Sequence, residues 1–280
     1  MKYLSIFLYI LLFVVLSGEV DYEKKSEDQL NKYLAGSAEY CKKLKGEAFH
    51  FYCKEKILFE RDEFVLGSTR RGNLKRRRSS TKSYFDYQLI QEGGKLKERR
   101  RRISDKVADV EMDPSELLLS FLSEKAVFGP NSILDQARQS NFNYKIFKNK
   151  KTKENDIVII KAIPKIPGRT FFLAAEVYID KKNFSVRKIV ATPVFIKGYE
   201  NMKRTASYFK TRLFLDCEIL FDQSYKGLFF PTLITITEKY KGGPVVNRNT
   251  RSKEWVKSKT TFKYYEYRFF DVDTEVKVQD

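Results

Sequence analysis

The sequence predicts an α+β fold: a long antiparallel sheet with an N-terminal helix and a helical insertion. Three observations predict it. Apolar residues first recur at three-and-four spacing and then switch to strict alternation. The rest of the chain reads as successive hairpins with Gly-, Asp- or Asn-based turns. No strand–helix–strand rhythm of a parallel sheet intervenes. About nine or ten strands make a sheet that twists, curls and must cover its apolar face, and the helices are the available cover for its concave side.

The helix comes first. DYEKKSEDQLNKYLAGSAEYCKKLKG carries Leu30, Leu34, Ser37, Cys41, Leu44 and Ala48 on one face, with Ser26 or Asp28 as the cap. Next, Phe49, Phe51, Cys53, Ile57 and Phe59 alternate with His50, Tyr52, Lys54, Lys56 and Glu60, a strand with one buried face that Glu55 interrupts. SYFDYQLIQEGGKLKERRRRISD is a hairpin turning through Gly93 and Gly94. DPSELLLSFLSEK, with Asp113 as cap and Pro114 in the first turn, predicts a short helix, and NSILDQARQ after Pro130 a second. FNYKIFKNKKTKENDIVIIKAIP is another hairpin, and FFLAAEVYIDKKNFSVRKIVATP turns at Asp180 to Asn183. RLFLDCEILFDQSYKGLFFPTLITITEKYKGG, turning at Lys226 and Gly227, and SKTTFKYYEYRFFDVDTEVKVQD add at least three strands.

The chain starts MKYLSIFLYILLFVVLSGEV, one Lys before an unbroken apolar run from Tyr3 to Leu16 and then small residues. As a helix that run is about 21 Å long, short of the roughly 30 Å hydrocarbon layer. It therefore predicts a signal peptide over 1–18, cleaved after Ser17 or Gly18, with an uncleaved anchor as the alternative, and a single domain over 19–280. The expected location is periplasmic or secreted. The formal charge is +18, from 54 Lys and Arg against 36 Asp and Glu. An exported protein with this balance meets anionic lipid head groups rather than nucleic acid. The basic runs are 70–82, read as a loop, and 95–102. Arg70, Arg71, Arg76, Arg77 and Arg78 are the candidates for anionic head groups, because guanidinium groups bind phosphate bidentately. A solvated loop and a charged strand edge are the alternative reading of the two runs.

Several chemistries lack their residues. The single histidine, His50, leaves no His pair for a metal and lies on the strand face opposite the apolar set. No Gly-rich phosphate loop, nucleophile elbow or CxxC occurs. Neither catalytic residues, nor a metal, nor a cofactor is expected. The 23 Phe and 17 Tyr fall largely at strand spacing and read as core.

Two of the three cysteines, Cys41 and Cys53, flank the change of period. Along one straight helix they would stand about 18 Å apart, beyond the roughly 7 Å reach of a disulfide. If the helix folds back onto the sheet, both thiols enter one interface, and outside the cytoplasm a bridge worth on the order of 3 kcal/mol is expected. Two reduced core thiols are the alternative. Cys217 reads as a free, buried thiol.

EYCKKLKGEAFHFYCKEKI, FDYQLIQEGGKLKERRR, EVYIDKKNFSVRKI and TFKYYEYRFFDVDTEV, in this order, resemble bacterial envelope proteins of the outer-membrane lipoprotein-sorting (LolA-like) family. The resemblance implies an unclosed β-barrel with a helical lid, an apolar cavity for acyl chains, and a non-enzymatic carrier or sensor. The function expected is thus binding of a lipid or acylated protein by a monomer, in outer-membrane lipoprotein or lipid sorting, with an anionic membrane surface as a further partner. The alternatives are an envelope interaction or regulatory protein whose sheet binds a partner protein, and a hydrolase built on clustered carboxylates.

Overall fold

A computed structural model describes residues 27–46, 51–66, 74–92, 95–103, 129–147, 156–166, 172–193, 199–243, 246 and 253–270. The signal segment, His50, Arg70, Arg71, Gly93, Gly94 and the helix expected over 113–125 lie outside them.

Helix α1 spans 27–46. Strands β1 (Phe51–Leu66), β2 (Leu74–Glu92) and β3 (Lys95–Arg102) follow. Two one-turn helices, α2 (Asn131–Leu134) and α3 (Gln136–Gln139), precede β4 (Phe142–Ile146), β5 (Ile157–Pro164), β6 (Phe172–Asp180) and β7 (Val186–Pro193). Helix α4 (Tyr199–Tyr208) leads into β8 (Arg212–Tyr225), β9 (Leu228–Lys241) and β10 (Glu254–Phe269).

All ten strands form one antiparallel sheet in the order β3-β2-β1-β10-β9-β8-β7-β6-β5-β4. Two meanders meet where β1 pairs with β10, and β3 and β4 are the two free edges, so the sheet is not closed into a barrel. The expected hairpins are present because their turns are locally encoded. Lys226 and Gly227 both have positive φ, 49° and 78°, and join the directly paired Tyr225 and Leu228 in a two-residue turn. Between β6 and β7 the Asp180 carboxylate accepts from the Lys182 N–H at 2.9 Å, and the Asn183 side chain from the Ser185 N–H at 3.0 Å.

One face of the sheet carries the core. Phe51, Cys53 and Ile57 of β1, Phe85, Tyr87 and Leu89 of β2, Cys217, Ile219 and Phe221 of β8, and Val177 and Ile179 of β6 are all buried, at the alternation a one-sided sheet requires. Helix α1 lies on this face through Leu34, Ser37, Cys41 and Leu44, as its periodicity predicts, and through Tyr33 and Tyr40 as well. At Gly36 the helix packs closely on the β6–β7 turn. A Cβ built there would meet the Phe184 ring at 2.4 Å, and the same ring packs edge-on to Tyr33 at 6.3 Å. Phe184 itself sits at φ 58°, a strained backbone that the ring packing holds.

Three local expectations are corrected. The run 70–82 is not a loop throughout: β2 begins at Leu74, because β1 continues to Leu66 and its acids face the arginines across the ladder. NSILDQARQ is two helices, not one, because Asp135 takes ψ 134° and caps α3, accepting from the Ala137 N–H at 3.0 Å. Helix α4 falls where no helix was expected, since only Met202 and Ala206 mark its buried side.

Asp135 also pairs with Lys45 near the end of α1. That hydrogen bond, followed by the cap at Ala137, holds its carboxyl below the usual carboxylate range although partial burial opposes this. A carboxyl whose pKa is depressed in the fold stabilises it above the ordinary value near 4, and this is lost as pH falls through the folded pKa. Urea midpoints measured from about pH 7 down to about pH 2 should therefore fall less steeply at the acid end for Asp135→Asn than for wild type. Parallel acid limbs would contradict it.

Candidate functional site

The candidate site is the face of the sheet that α1 covers. At one end it is aromatic. Phe51 and Phe230, both buried, stand 5.5 Å apart by ring centroid, with Tyr267 at 5.3 Å and Phe269 at 6.1 Å from Phe51. Phe269 stacks flat on Tyr225 at 4.1 Å, and the Arg187 guanidinium lies 4.0 Å over Phe229. Tyr225, Phe229, Tyr267 and Phe269 are only half-buried, so this end of the core opens towards solvent. Here α1 reaches across: the Phe229 N–H donates to the Tyr40 hydroxyl at 3.1 Å, and burial pushes that hydroxyl up to about 12.

Among the described residues, the polar ties of the cover beyond Tyr40 and Lys45 come from the short helices. Asn131 donates to the Cys41 carbonyl at 3.0 Å and Gln139 to the Leu34 carbonyl at 3.0 Å. Both bonds come from α2 and α3, so the short helices clamp α1 from the side. Ser37 Oγ and Asn131 Oδ1 are buried there without a hydrogen-bond partner.

Beside the aromatic end lies a buried ion pair. Arg100 of β3 reaches across β2, over the Tyr87 ring at 4.8 Å, and its Nε donates to Glu55 Oε2 at 2.8 Å and its guanidinium Nη2 to Oε1 at 3.3 Å. The two side chains are 2% and 0% exposed, and Glu55 stands between Phe85 and Tyr264 on the neighbouring strands. Burial disfavours the cation, but the Glu55 carboxylate outweighs it and holds the Arg100 pKa above its ordinary value. Glu55 thus interrupts the apolar alternation as predicted, yet faces inward with its own cation. A second buried carboxylate among the described residues, Glu238, accepts from Tyr240, from Lys257 at 3.1 Å and from Ser258 at 2.8 Å. Each acid has its own cation, an arrangement for holding structure rather than for sharing a proton. Among the described residues no group of three or more His, Cys, Asp or Glu could hold a metal ion.

The expected Cys41–Cys53 bridge is absent: Cys41, Cys53 and Cys217 are all free and buried. Both thiols do enter the same core, but at different places. Cys41 lies by Asn131, Asp135 and Tyr144, whereas Cys53 lies by Glu55 and Tyr267. Burial pushes the Cys41 and Cys217 thiols up to about 12, and Cys53 is raised too by burial and the nearby Glu55. The thiolate is the reactive form, so the folded protein should resist a maleimide at neutral pH and take one label on each of its three cysteines in urea. Intact mass spectrometry reads this directly. A single label in urea, with a mass two protons low, would establish a bridge instead.

The head-group candidates are spread out. Arg76 and Arg78 lie on β2 and share one carboxylate: Asp62 accepts from Arg76 Nε at 2.7 Å and from Arg78 Nε at 3.1 Å. Arg77, between them, is exposed and faces Glu63 across the ladder. Arg76 is thus held in place by Asp62, whose hydrogen bond raises its pKa further against the cost of burial.

No protein-family model and no curated protein matches the chain. Among solved structures the chain is similar to an outer membrane lipoprotein-sorting protein domain from Vibrio parahaemolyticus, with 11% identity over 85% of this chain and 94% of that one and a TM-score of 0.36. It is also similar to a LolA superfamily protein from Nitrosomonas europaea, with 9% identity over 84% and 93% of the two chains and a TM-score of 0.33. A third similarity is to a DUF1329 family protein from Desulfovibrio piger, with 12% identity over 88% and 94% and a TM-score of 0.34.

Proposed function

We propose that the chain is a non-enzymatic, exported protein that holds a lipid or the acyl chains of a lipidated protein between the covered face of its open sheet and helix α1, in outer-membrane lipoprotein or lipid sorting. The observation that carries this reading is the long helix α1 over a largely apolar face that opens at a half-buried aromatic end. Acyl chains entering beside Tyr225, Phe229 and Phe269 would bury apolar area at roughly 25 cal/mol per Å². Displacing α1 would cost its polar ties and be offset by contacts of the same apolar kind. The N-terminal pattern supports export. Arg70, Arg71, Arg76, Arg77 and Arg78 are proposed to bind an anionic head group, but not that of the entering chain, since Arg78 pairs with Asp62, about 36 Å along β1 from Phe51 and the aromatic end.

Native mass spectrometry of the protein purified from cells, followed by titration of the delipidated form with a fluorescent long-chain fatty acid, tests the reading. A bound lipid and saturable uptake are expected. No lipid and no uptake would overturn it, and one stable protein partner without lipid would favour a partner-binding sheet.

A further inference from the structure

The face of the sheet turned away from α1 is charged unevenly. On β1, Lys54, Lys56 and Leu58 alternate with the core residues Cys53 and Ile57 and so point to this outer face. Lys56 stands directly between Tyr84 of β2 and Lys263 of β10. One step along, Leu58 stands between Lys82 and Thr261, and Glu60 opposite Lys259 bounds the group. Neighbouring strands are about 4.8 Å apart, so the three lysines Lys56, Lys82 and Lys263 crowd around one tyrosine and one leucine. Among the described residues no carboxylate pairs with any of the three, while Lys54 beside them is paired to Asp86 at 2.6 Å.

The far half of the same sheet differs. There Lys188 pairs with Glu218 at 3.0 Å and Lys239 with Asp216 at 2.7 Å. Among the described residues, the outer face of β2, β1 and β10 therefore carries a group of lysines without paired acids, whereas Lys188 and Lys239 further along the sheet have theirs. Lys56 directly opposite Lys263 is a like-charge pair that disfavours the fold, and an anion lying over both would relieve it.

We propose that the outer face of β2, β1 and β10 docks on an anionic membrane surface, with Lys56, Lys82 and Lys263 meeting lipid phosphates and Tyr84 at head-group level. Charge complementarity argues for the occupant, and Tyr84, 39% exposed with the Lys56 ammonium 5.6 Å from its ring centroid, is the kind of amphipathic ring that sits at a lipid–water boundary. An export signal at the N-terminus favours a lipid surface over nucleic acid. This docking uses the face opposite the acyl site and does not rest on the lipid-carrying reading.

Flotation of the full protein with vesicles of phosphatidylcholine, with or without phosphatidylglycerol, tests it. Wild type is expected to float only with the anionic vesicles, and less as salt rises. Lys56→Gln/Lys263→Gln should weaken partitioning about twenty-five-fold, at about fivefold per lysine. Its thermal unfolding should be unchanged or slightly raised, since a like-charge pair is removed. Lys145→Gln/Lys182→Gln, exposed lysines at β4 and the β6–β7 turn, makes the same change in net charge and should partition like wild type. Equal losses in the two variants would mean that net charge alone binds, and absence of flotation would mean that no membrane docks here. Either result overturns the proposal.

Discussion

Replacing Glu55 by Gln or Arg100 by Met is expected to destabilise the fold by about 3–5 kcal/mol, since either change leaves the other partner buried without its ion pair. The side chains are 0% and 2% exposed, so solvent cannot take over the lost partner. Arg100 also crosses Tyr87 at 4.8 Å, and its truncation loses that contact too. Replacing both, as Glu55→Leu/Arg100→Met, should recover much of the loss, because a buried pair gains little net over apolar groups of similar size. Urea midpoints of the four proteins form a double-mutant cycle that reads the coupling. Additive losses would show that Glu55 and Arg100 do not act as a pair.

The second large effect is expected at Gly36, and its sign runs against helix propensity. In an exposed helix interior, Gly to Ala gains about 0.8–1 kcal/mol. Here the new Cβ would lie 2.4 to 2.6 Å from three atoms of the Phe184 ring, and overpacking costs about 1–3 kcal/mol. The ring cannot easily retreat, since Phe184 is held at φ 58° in the tight β6–β7 turn, with its N–H donating to the Asp180 carbonyl at 2.9 Å. Gly36→Ala should therefore destabilise the protein and loosen α1, and Gly36→Leu should do more. In a Phe184→Ala background the obstacle is gone, and Gly36→Ala should become neutral or stabilising by up to about 1 kcal/mol. The same cost in both backgrounds would mean that this contact does not seat the helix.

Much of this architecture is legible in the sequence because it is local. The three-and-four spacing from Leu30 to Leu44, the alternation from Phe51 and the turns at Lys226–Gly227 and Asp180–Asn183 each follow from residues within a few positions of one another. What escapes is decided at long range. The Glu55 partner lies two strands away, in a run of four arginines that all look alike until register turns Arg100 inward. The stretch 74–82 is polar on both faces, so no alternation marks it as a strand. Only the opposing acids of β1 do so. The cysteines show the same division. Their inward direction follows from local periodicity, whereas their separation depends on where α1 crosses the sheet, which Phe184, Phe229 and the α2–α3 clamp determine. The lysine group on the outer face joins residues from three strands and has no local signature.

Amide hydrogen exchange of the delipidated protein, with and without a long-chain fatty acid, tests the proposal that the underside of α1 takes an acyl chain. Exchange is expected to change in 27–46 and at the aromatic end around Phe229 and Phe269, while β4 and β5 stay as they were. Fatty acid bound with no change in 27–46, or no binding at all, would contradict it.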